Sequence, residues 1–195
     1  MCGRYYEDEK SIRSLETFTN HLEEKEADWQ MRDVTPAQTA VVLCRENDHI
    51  AGRRMLWGFP GFHGKGCIIN ARAESAMEKK MFRDSMRHRR CVIAAKGFYE
   101  WSKAREKYTF ERKDSDVLFL AGCFKMQEGQ ERFVILTTQA NASVEPVHDR
   151  MPLILEREEV ETWILDDQAA EHLLHKTPVL LESGAEYEQL SFFRQ

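Results

Sequence analysis

A cysteine directly after the initiator methionine, in Met1-Cys2-Gly3-Arg4, is the residue of this chain with the widest reach of chemistry. Small second residues permit removal of Met1, which leaves Cys2 with a free α-amine and a thiol on adjacent carbons. An α-amine has an ordinary pKa near 7.7–8.0 against about 10.4 for lysine, so roughly 10–20% of it is unprotonated near neutrality and attacks a carbonyl as it stands. Two chemistries use such a 1,2-aminothiol. In an N-terminal-nucleophile amidohydrolase the thiolate attacks an amide, with the amine as its base and an oxyanion hole nearby. In an aldehyde-capturing protein the amine forms an imine, and the thiol closes on the imine carbon to give a five-membered thiazolidine. A second-position cysteine with no role is the alternative to both.

Other segments offer the groups such chemistry needs. In Gly97-Phe98-Tyr99-Glu100-Trp101 an acid stands among aromatics. It is either a desolvated carboxyl suited to proton transfer or a solvent-facing acid between two core rings, and the aromatic beside it could stack on a nucleobase. In Ile69-Asn70-Ala71-Arg72-Ala73-Glu74, Asn70 is either a ligand-orienting amide or a helix N-cap, and Arg72 either grips a phosphate or lies idle on the surface. Val147-His148-Asp149-Arg150-Met151-Pro152 reads as a loop that holds an acid/base group beside an anion-binding group. Trp57, in Trp57-Gly58-Phe59-Pro60, is core or a base-stacking wedge. His172 and His175 have no further ligands suggested, so no metal site is expected.

These residues must be positioned by a chain of 195 residues, long enough for one domain that buries roughly 70% of its unfolded surface. Short β-branched or aromatic runs occur at Ala40–Leu43, Met55–Trp57, Cys67–Ile69, Cys91–Ala94, Val117–Ala121, Phe133–Thr137 and Leu153–Leu155 and read as strands. Helical spacing appears at Ser11–Trp29, Ala73–Met86, Glu156–Leu165 and Gln168–His175. The expected fold is a single β-rich α+β domain over 1–195. Five cysteines without a CxxC pair argue against a disulfide framework or a zinc finger. No apolar run approaches a membrane span, and the first residues lack the apolar core of a signal peptide, so a cytosolic protein is expected. A net charge of -5 argues against a polyanion partner, but residues 51–100 alone hold 11 basic and 4 acidic side chains. A basic face on an acidic protein is a sharper sign of nucleic acid than the total, though a solvated surface offsetting acidic helices reads the same way.

Taken together, Met1 to Tyr5, Thr35 to Gln38, Trp57 to Pro60, Ile69 to Glu74, Arg90-Cys91 with Gly97 to Trp101, Leu136 to Thr138 and Val147 to Leu155 resemble the SRAP family, the SOS response-associated peptidase domains understood as abasic-site processing proteins. The resemblance implies a β-rich core with outer helices. It also implies capture of the aldehyde of an abasic site in single-stranded DNA as a Cys2 thiazolidine, without a cofactor. Cys2 would be the nucleophile, Glu100 would move protons, His148 would assist opening of the deoxyribose, and Asn70 would align Cys2 or the sugar. Arg4, Arg72 and Arg150 would hold phosphates, while Pro36, Trp57, Trp101 and Thr137 would line the nucleotide path. Removal of its own Met1 and slow reversal of the crosslink explain the peptidase and lyase labels. The expected setting is the cytoplasm, on the nucleoid during DNA damage, with unidentified replication or repair partners and no membrane. Two features depart from the family pattern. Asp33-Val34-Thr35 puts an acid where a neutral polar side chain is usual, an expected local weakening of DNA binding, and Phe59-Pro60 compresses the segment after Trp57-Gly58. The rival readings are an N-terminal-cysteine amidohydrolase and a single-stranded nucleic-acid binding module without chemistry.

Overall fold

The β-branched runs of the sequence form strands that extend beyond them, because a ladder continues through any residue whose backbone finds a partner. The structure, a computed structural model, describes residues 2–19, 22, 31–61 and 65–186. In chain order its elements are β1 (Tyr5–Glu7), α1 (Glu9–Leu15), β2 (Arg32–Val34), β3 (Thr39–Glu46), β4 (His49–Trp57), β5 (Phe59–Pro60), β6 (Cys67–Ile68), β7 (Asn70–Arg72), α2 (Ala73–Ala76) and α3 (Arg83–His88). They continue as β8 (Arg90–Ala95), β9 (Gly97–Trp101), β10 (Lys107–Glu111), β11 (Leu118–Gln127), β12 (Gln130–Gln139), β13 (Arg150–Pro152), β14 (Ile154–Leu155), α4 (Glu159–Leu165), α5 (Asp167–Leu173) and β15 (Glu182–Glu186).

Five strands close a barrel in the order β12-β4-β3-β8-β11, with β11 pairing back onto β12. The closing hairpin turns through Glu128 and Gly129, both at positive φ, which is the type I′ geometry that matches the right-handed strand twist. A second sheet, β15-β10-β9-β1-β2, carries the N-terminal strand beside Gly97–Trp101. The α+β, β-rich class expected from the sequence is the one observed.

Strand alternation sends neighbouring residues to two cores. On β8, Val92 and Ala94 join a cluster completed by helix residues such as Ile12, Leu15, Val160 and Trp163. Cys91, Ile93 and Ala95 join the other, which contains Cys2, Tyr5, Trp57, Phe98 and Phe110. The helices are shorter than their periodic patterns. α1 opens on an Asp8 capping box and ends at Leu15, and residues 20, 21 and 23–29 of the expected helix lie outside the described residues. The Ala73–Met86 pattern resolves into α2 and α3. Among the described residues no helix is long and apolar enough to cross a membrane.

Arg90 shows why a charge count misleads. Its buried guanidinium donates to the carbonyls of Trp163 (2.5 Å) and Met86 (2.9 Å) and to Asp167 (2.6 Å), tying α3 to the α4–α5 junction. Arg90→Ala removes the donor from several carbonyls at once, so we expect a loss of about 3–5 kcal/mol in urea unfolding. A variant within about 1 kcal/mol of wild type would contradict this assignment.

Candidate active site

β1 lies antiparallel to β9 with Tyr5 opposite Phe98, and the Tyr99 N–H donates to the Arg4 carbonyl at 3.0 Å. The residues before Tyr5 therefore run beside Glu100 and Trp101. Phe98 and Glu100 point to the inner face of β9, Tyr99 and Trp101 to the outer. Glu100 is 3% exposed, so the solvent-facing alternative is excluded. Cys2 is fully buried in the same core cluster as Phe98, its Sγ 3.9 Å from the Arg4 carbonyl that accepts from it. Burial pushes the Cys2 thiol far above its ordinary pKa, and the charge that adds most to this is Glu100. The thiol is therefore protonated at neutral pH and reacts only where a base takes its proton. Tyr5 sits beside it, fully buried, its hydroxyl without a hydrogen-bond partner among the described residues.

The second group of residues is assembled by β12. β7 pairs with it in parallel, placing Asn70 opposite Ile135 and Arg72 opposite Thr137, and β13 pairs on its far end, placing Arg150 opposite Gln139. Asn70 is a strand residue and not an N-cap; Arg72 occupies the N-cap of α2 without a side-chain cap. The Asn70 amide nitrogen donates to the Ile135 carbonyl at 3.5 Å, while its Oδ1 is buried with no partner among the described residues. Such an acceptor costs about 1–3 kcal/mol unless a ligand donates to it. Arg150 donates to both oxygens of Glu74 (2.5 and 2.9 Å) and to the Thr137 carbonyl (2.6 Å). These bonds hold the Glu74 carboxyl below its ordinary pKa. His148 Nδ1 accepts from the Arg150 N–H at 2.9 Å, which puts the hydrogen of the neutral ring on Nε2. The Asp149 carboxylate lies 3.0 Å from the same Nδ1 and becomes its partner when the ring is protonated. Ile69 and Val147, the neighbours of Asn70 and His148, pack against the cluster that contains Cys2, and this joins the two groups.

The outer face of the second sheet is aromatic and cationic. The Arg4 guanidinium lies 5.8 Å from the Trp101 ring centre, Lys107 Nζ lies 3.9 Å from that of Tyr99, and the Tyr99 and Trp101 rings are 6.4 Å apart. Trp101 is 39% exposed, an available stacking surface. Asp33, read from the sequence as a departure, accepts from the Tyr99 hydroxyl at 3.0 Å and faces Arg4 at 3.6 Å. Asp33→Asn should therefore tighten single-stranded DNA binding by up to about five-fold, the scale of an exposed ion pair released. Equal or weaker binding in fluorescence anisotropy would refute this.

Not every sequence-predicted residue is available. Trp57 is fully buried, its indole N–H donating to the Ile69 carbonyl at 3.0 Å and its ring parallel to Phe133 at 6.2 Å, so it is the core residue of the two alternatives. Gly58, at φ 110°, turns the chain from β4 into β5 directly after it. Pro36 is half-buried at the second position of the Thr35–Gln38 turn, in which Ala37 takes φ 67° and Gln38 N–H donates to the Thr35 carbonyl. Thr137 is buried under Arg150. Sequence reasoning missed Glu74 and Asp33 as partners of the two arginines, and Lys107. Pairs such as Arg4, just before β1, with Asp33 on β2 are far apart in the chain, and no local spacing announces them. Among the described residues no group of His, Cys, Asp and Glu is placed to hold a metal ion. Of the five thiols only Cys67 is exposed. Brief iodoacetamide treatment of the native protein should label Cys67 well before Cys2, and peptide mass mapping that finds Cys2 labelled first would contradict the buried site.

The sequence profile described as "SOS response associated peptidase (SRAP)" matches residues 1–191. The chain is 28% identical over 177 residues to abasic site processing protein YedK of Escherichia coli (strain K12), covering 84% of this chain and 79% of that protein. It is 29% identical over 179 residues to abasic site processing protein YoqW of Bacillus subtilis (strain 168), covering 84% and 80%. Among solved structures, a protein of Bordetella bronchiseptica superposes with a TM-score of 0.78 at 19% identity, over 95% of this chain and all of that one. A protein of Bacteroides thetaiotaomicron gives 0.71 at 20%, over 96% and 93%.

Proposed function

As the chain belongs to the SOS response associated peptidase (SRAP) family, we propose that it captures the ring-opened aldehyde of an abasic site in single-stranded DNA as a thiazolidine on Cys2. The observation that carries this reading is the fully buried Cys2 thiol with the buried Glu100 carboxylate acting on it. A protonated thiol is a poor first nucleophile, whereas the neighbouring α-amine, once Met1 is gone, is a competent one. The amine adds to the aldehyde carbon and water leaves to give the imine. The S–H then adds across C=N, the S–C bond forming while the thiol proton passes to nitrogen. One water is lost overall. Glu100 carries protons between the amine, the departing hydroxyl and the thiol. His148 provides the acid/base group for opening the closed sugar, and the Asn70 Oδ1 accepts from the amine or a sugar hydroxyl.

The same carboxylate serves removal of Met1, where hydrolysis of the peptide needs a base for the attacking water and an acid for the leaving amine. This self-processing is the peptidase activity we assign to the chain, and reversal of the crosslink the lyase-type one. Affinity comes from backbone charge and base stacking without base-edge readout, through Arg4, Arg72 and the Trp101 face. Arg150 reaches a phosphate only by exchanging its bonds to Glu74.

The test compares two single-stranded oligonucleotides, one with a natural abasic site and one with a reduced site that lacks the aldehyde. A heat-stable adduct on gels with the first alone is expected. An adduct with both, or with neither when Cys2 is verified as the N-terminus, contradicts the reading.

A further inference from the structure

The core around Cys2 is built largely of aromatic rings, and one of them carries a polar atom with nothing to bind. Phe98, Phe110 and Phe133 are fully buried there and have no such atom. Tyr5 is fully buried in the same cluster, its ring centre 5.2 Å from that of Trp57, and its hydroxyl has no hydrogen-bond partner among the described residues. A hydroxyl that has left water and gained no hydrogen bond destabilises the fold, so packing alone favours phenylalanine at this position. Its retention needs another reason.

The strand register places the hydroxyl in the proposed site. Tyr5 pairs with Phe98, so its side chain shares the inner face of the second sheet with Phe98 and Glu100. Glu7, two residues along β1, lies on that face as well. Its Oε1 accepts from Nε and Nη2 of Arg32, both at 2.6 Å, while its Oε2 is buried without a partner, so the carboxylate next along the face does not take the Tyr5 hydrogen. Burial pushes the Tyr5 hydroxyl well above its ordinary pKa. Glu7 raises it further, Arg32 opposes this, and the Cys2 and Cys91 thiols act in the same sense as Glu7. Tyr5 is therefore a neutral O–H donor throughout the neutral range.

Cys2 needs a donor at one moment of its chemistry. As a thiol it donates to the Arg4 carbonyl at 3.9 Å. Once its proton leaves, the sulfur becomes an acceptor, the Arg4 carbonyl repels it, and burial and the Glu100 charge both oppose its negative form. An unengaged O–H beside it offsets those terms, as preorganised donors do wherever charge develops in a dry site.

We propose that Tyr5 is a further catalytic residue, whose hydroxyl donates a hydrogen bond to the Cys2 sulfur during closure of the thiazolidine ring. The inference rests on the thiazolidine reading of Cys2 and adds a residue to it. The S–H proton passes to Glu100, the sulfur pair forms the S–C bond as the C=N pair withdraws to nitrogen, and nitrogen takes the proton from Glu100. The Tyr5 proton stays on its oxygen.

Tyr5→Phe removes the hydroxyl and keeps the ring. With the absence of Met1 verified by intact mass, capture of abasic single-stranded DNA is followed as total adduct after borohydride, which counts imine and thiazolidine, and as heat-stable adduct without it. We expect total adduct to form within about two-fold of the wild-type rate and heat-stable adduct about ten-fold more slowly, less than an oxyanion donor contributes because sulfur accepts weakly. The melting temperature should equal or exceed that of wild type. Heat-stable adduct at the wild-type rate would overturn the proposal, and so would equal slowing of both products, which marks a packing role. Prolonged iodoacetamide treatment probes the thiol without DNA, with Cys67 as internal reference. Labelling of Cys2 relative to Cys67 should fall about ten-fold in Tyr5→Phe, whereas a loosened core would raise it. An unchanged or raised ratio would also overturn the proposal. A fallen ratio in a protein whose wild type forms no heat-stable adduct would strike the thiazolidine reading and leave the action of Tyr5 on the thiol standing.

Discussion

Cys2→Ser abolishes the heat-stable adduct with abasic DNA and leaves an imine that is seen only after borohydride reduction. The expectation follows from the division of labour between the two groups on residue 2. The α-amine performs the first bond formation and survives the substitution. The ring closure that makes the product stable needs the softer, more nucleophilic sulfur. The thiol is fully buried, so its replacement by a hydroxyl removes the ring-closing atom without creating a large cavity. A blocked N-terminus gives a different result, because a retained residue before Cys2 turns the amine into an amide and stops both steps. If Cys2→Ser still forms a heat-stable adduct, or if the borohydride product is absent with its amine free, the order of steps given above is wrong.

Glu100→Gln is the second large effect. Glutamine keeps the shape and burial of the side chain but cannot carry a proton. We expect capture by protein with a verified free Cys2 to slow about 100- to 1000-fold, the usual scale of positioned acid–base catalysis. Single-stranded DNA affinity should stay near wild type, since Glu100 faces inward from β9 and the Arg4–Trp101 surface faces out. Freshly expressed Glu100→Gln should also retain Met1 in intact-mass spectra. Wild-type capture kinetics in this variant would remove Glu100 from the mechanism. Loss of DNA binding in parallel would show that its role is structural.

What the sequence disclosed, and what it withheld, follows from where each interaction lies along the chain. Cys2 was legible from position alone. The barrel strands were legible because Ala40–Leu43, Cys91–Ala94 and Phe133–Thr137 are apolar on both faces, as strands between two cores must be. The second sheet was not. Its central strand, Gly97–Trp101, reads in the sequence as an acid among aromatics, and its pairing with Tyr5 and Tyr6 joins residues too far apart for any local pattern to report. For the same reason Trp57 stood open between core and wedge until the packing of Phe133 on it decided the matter. Block charge located the basic face but treated every arginine alike, whereas Arg90 is spent inside the protein and Arg53 is held by Glu46 and Glu131.

The most direct test of the central claim is the intact mass of the protein after incubation with a single-stranded oligonucleotide carrying one abasic site. The account predicts one species equal to the chain without Met1 plus the oligonucleotide minus one water, with peptide mapping placing the linkage on Cys2. An adduct that retains Met1, or one mapped to a lysine, would contradict it.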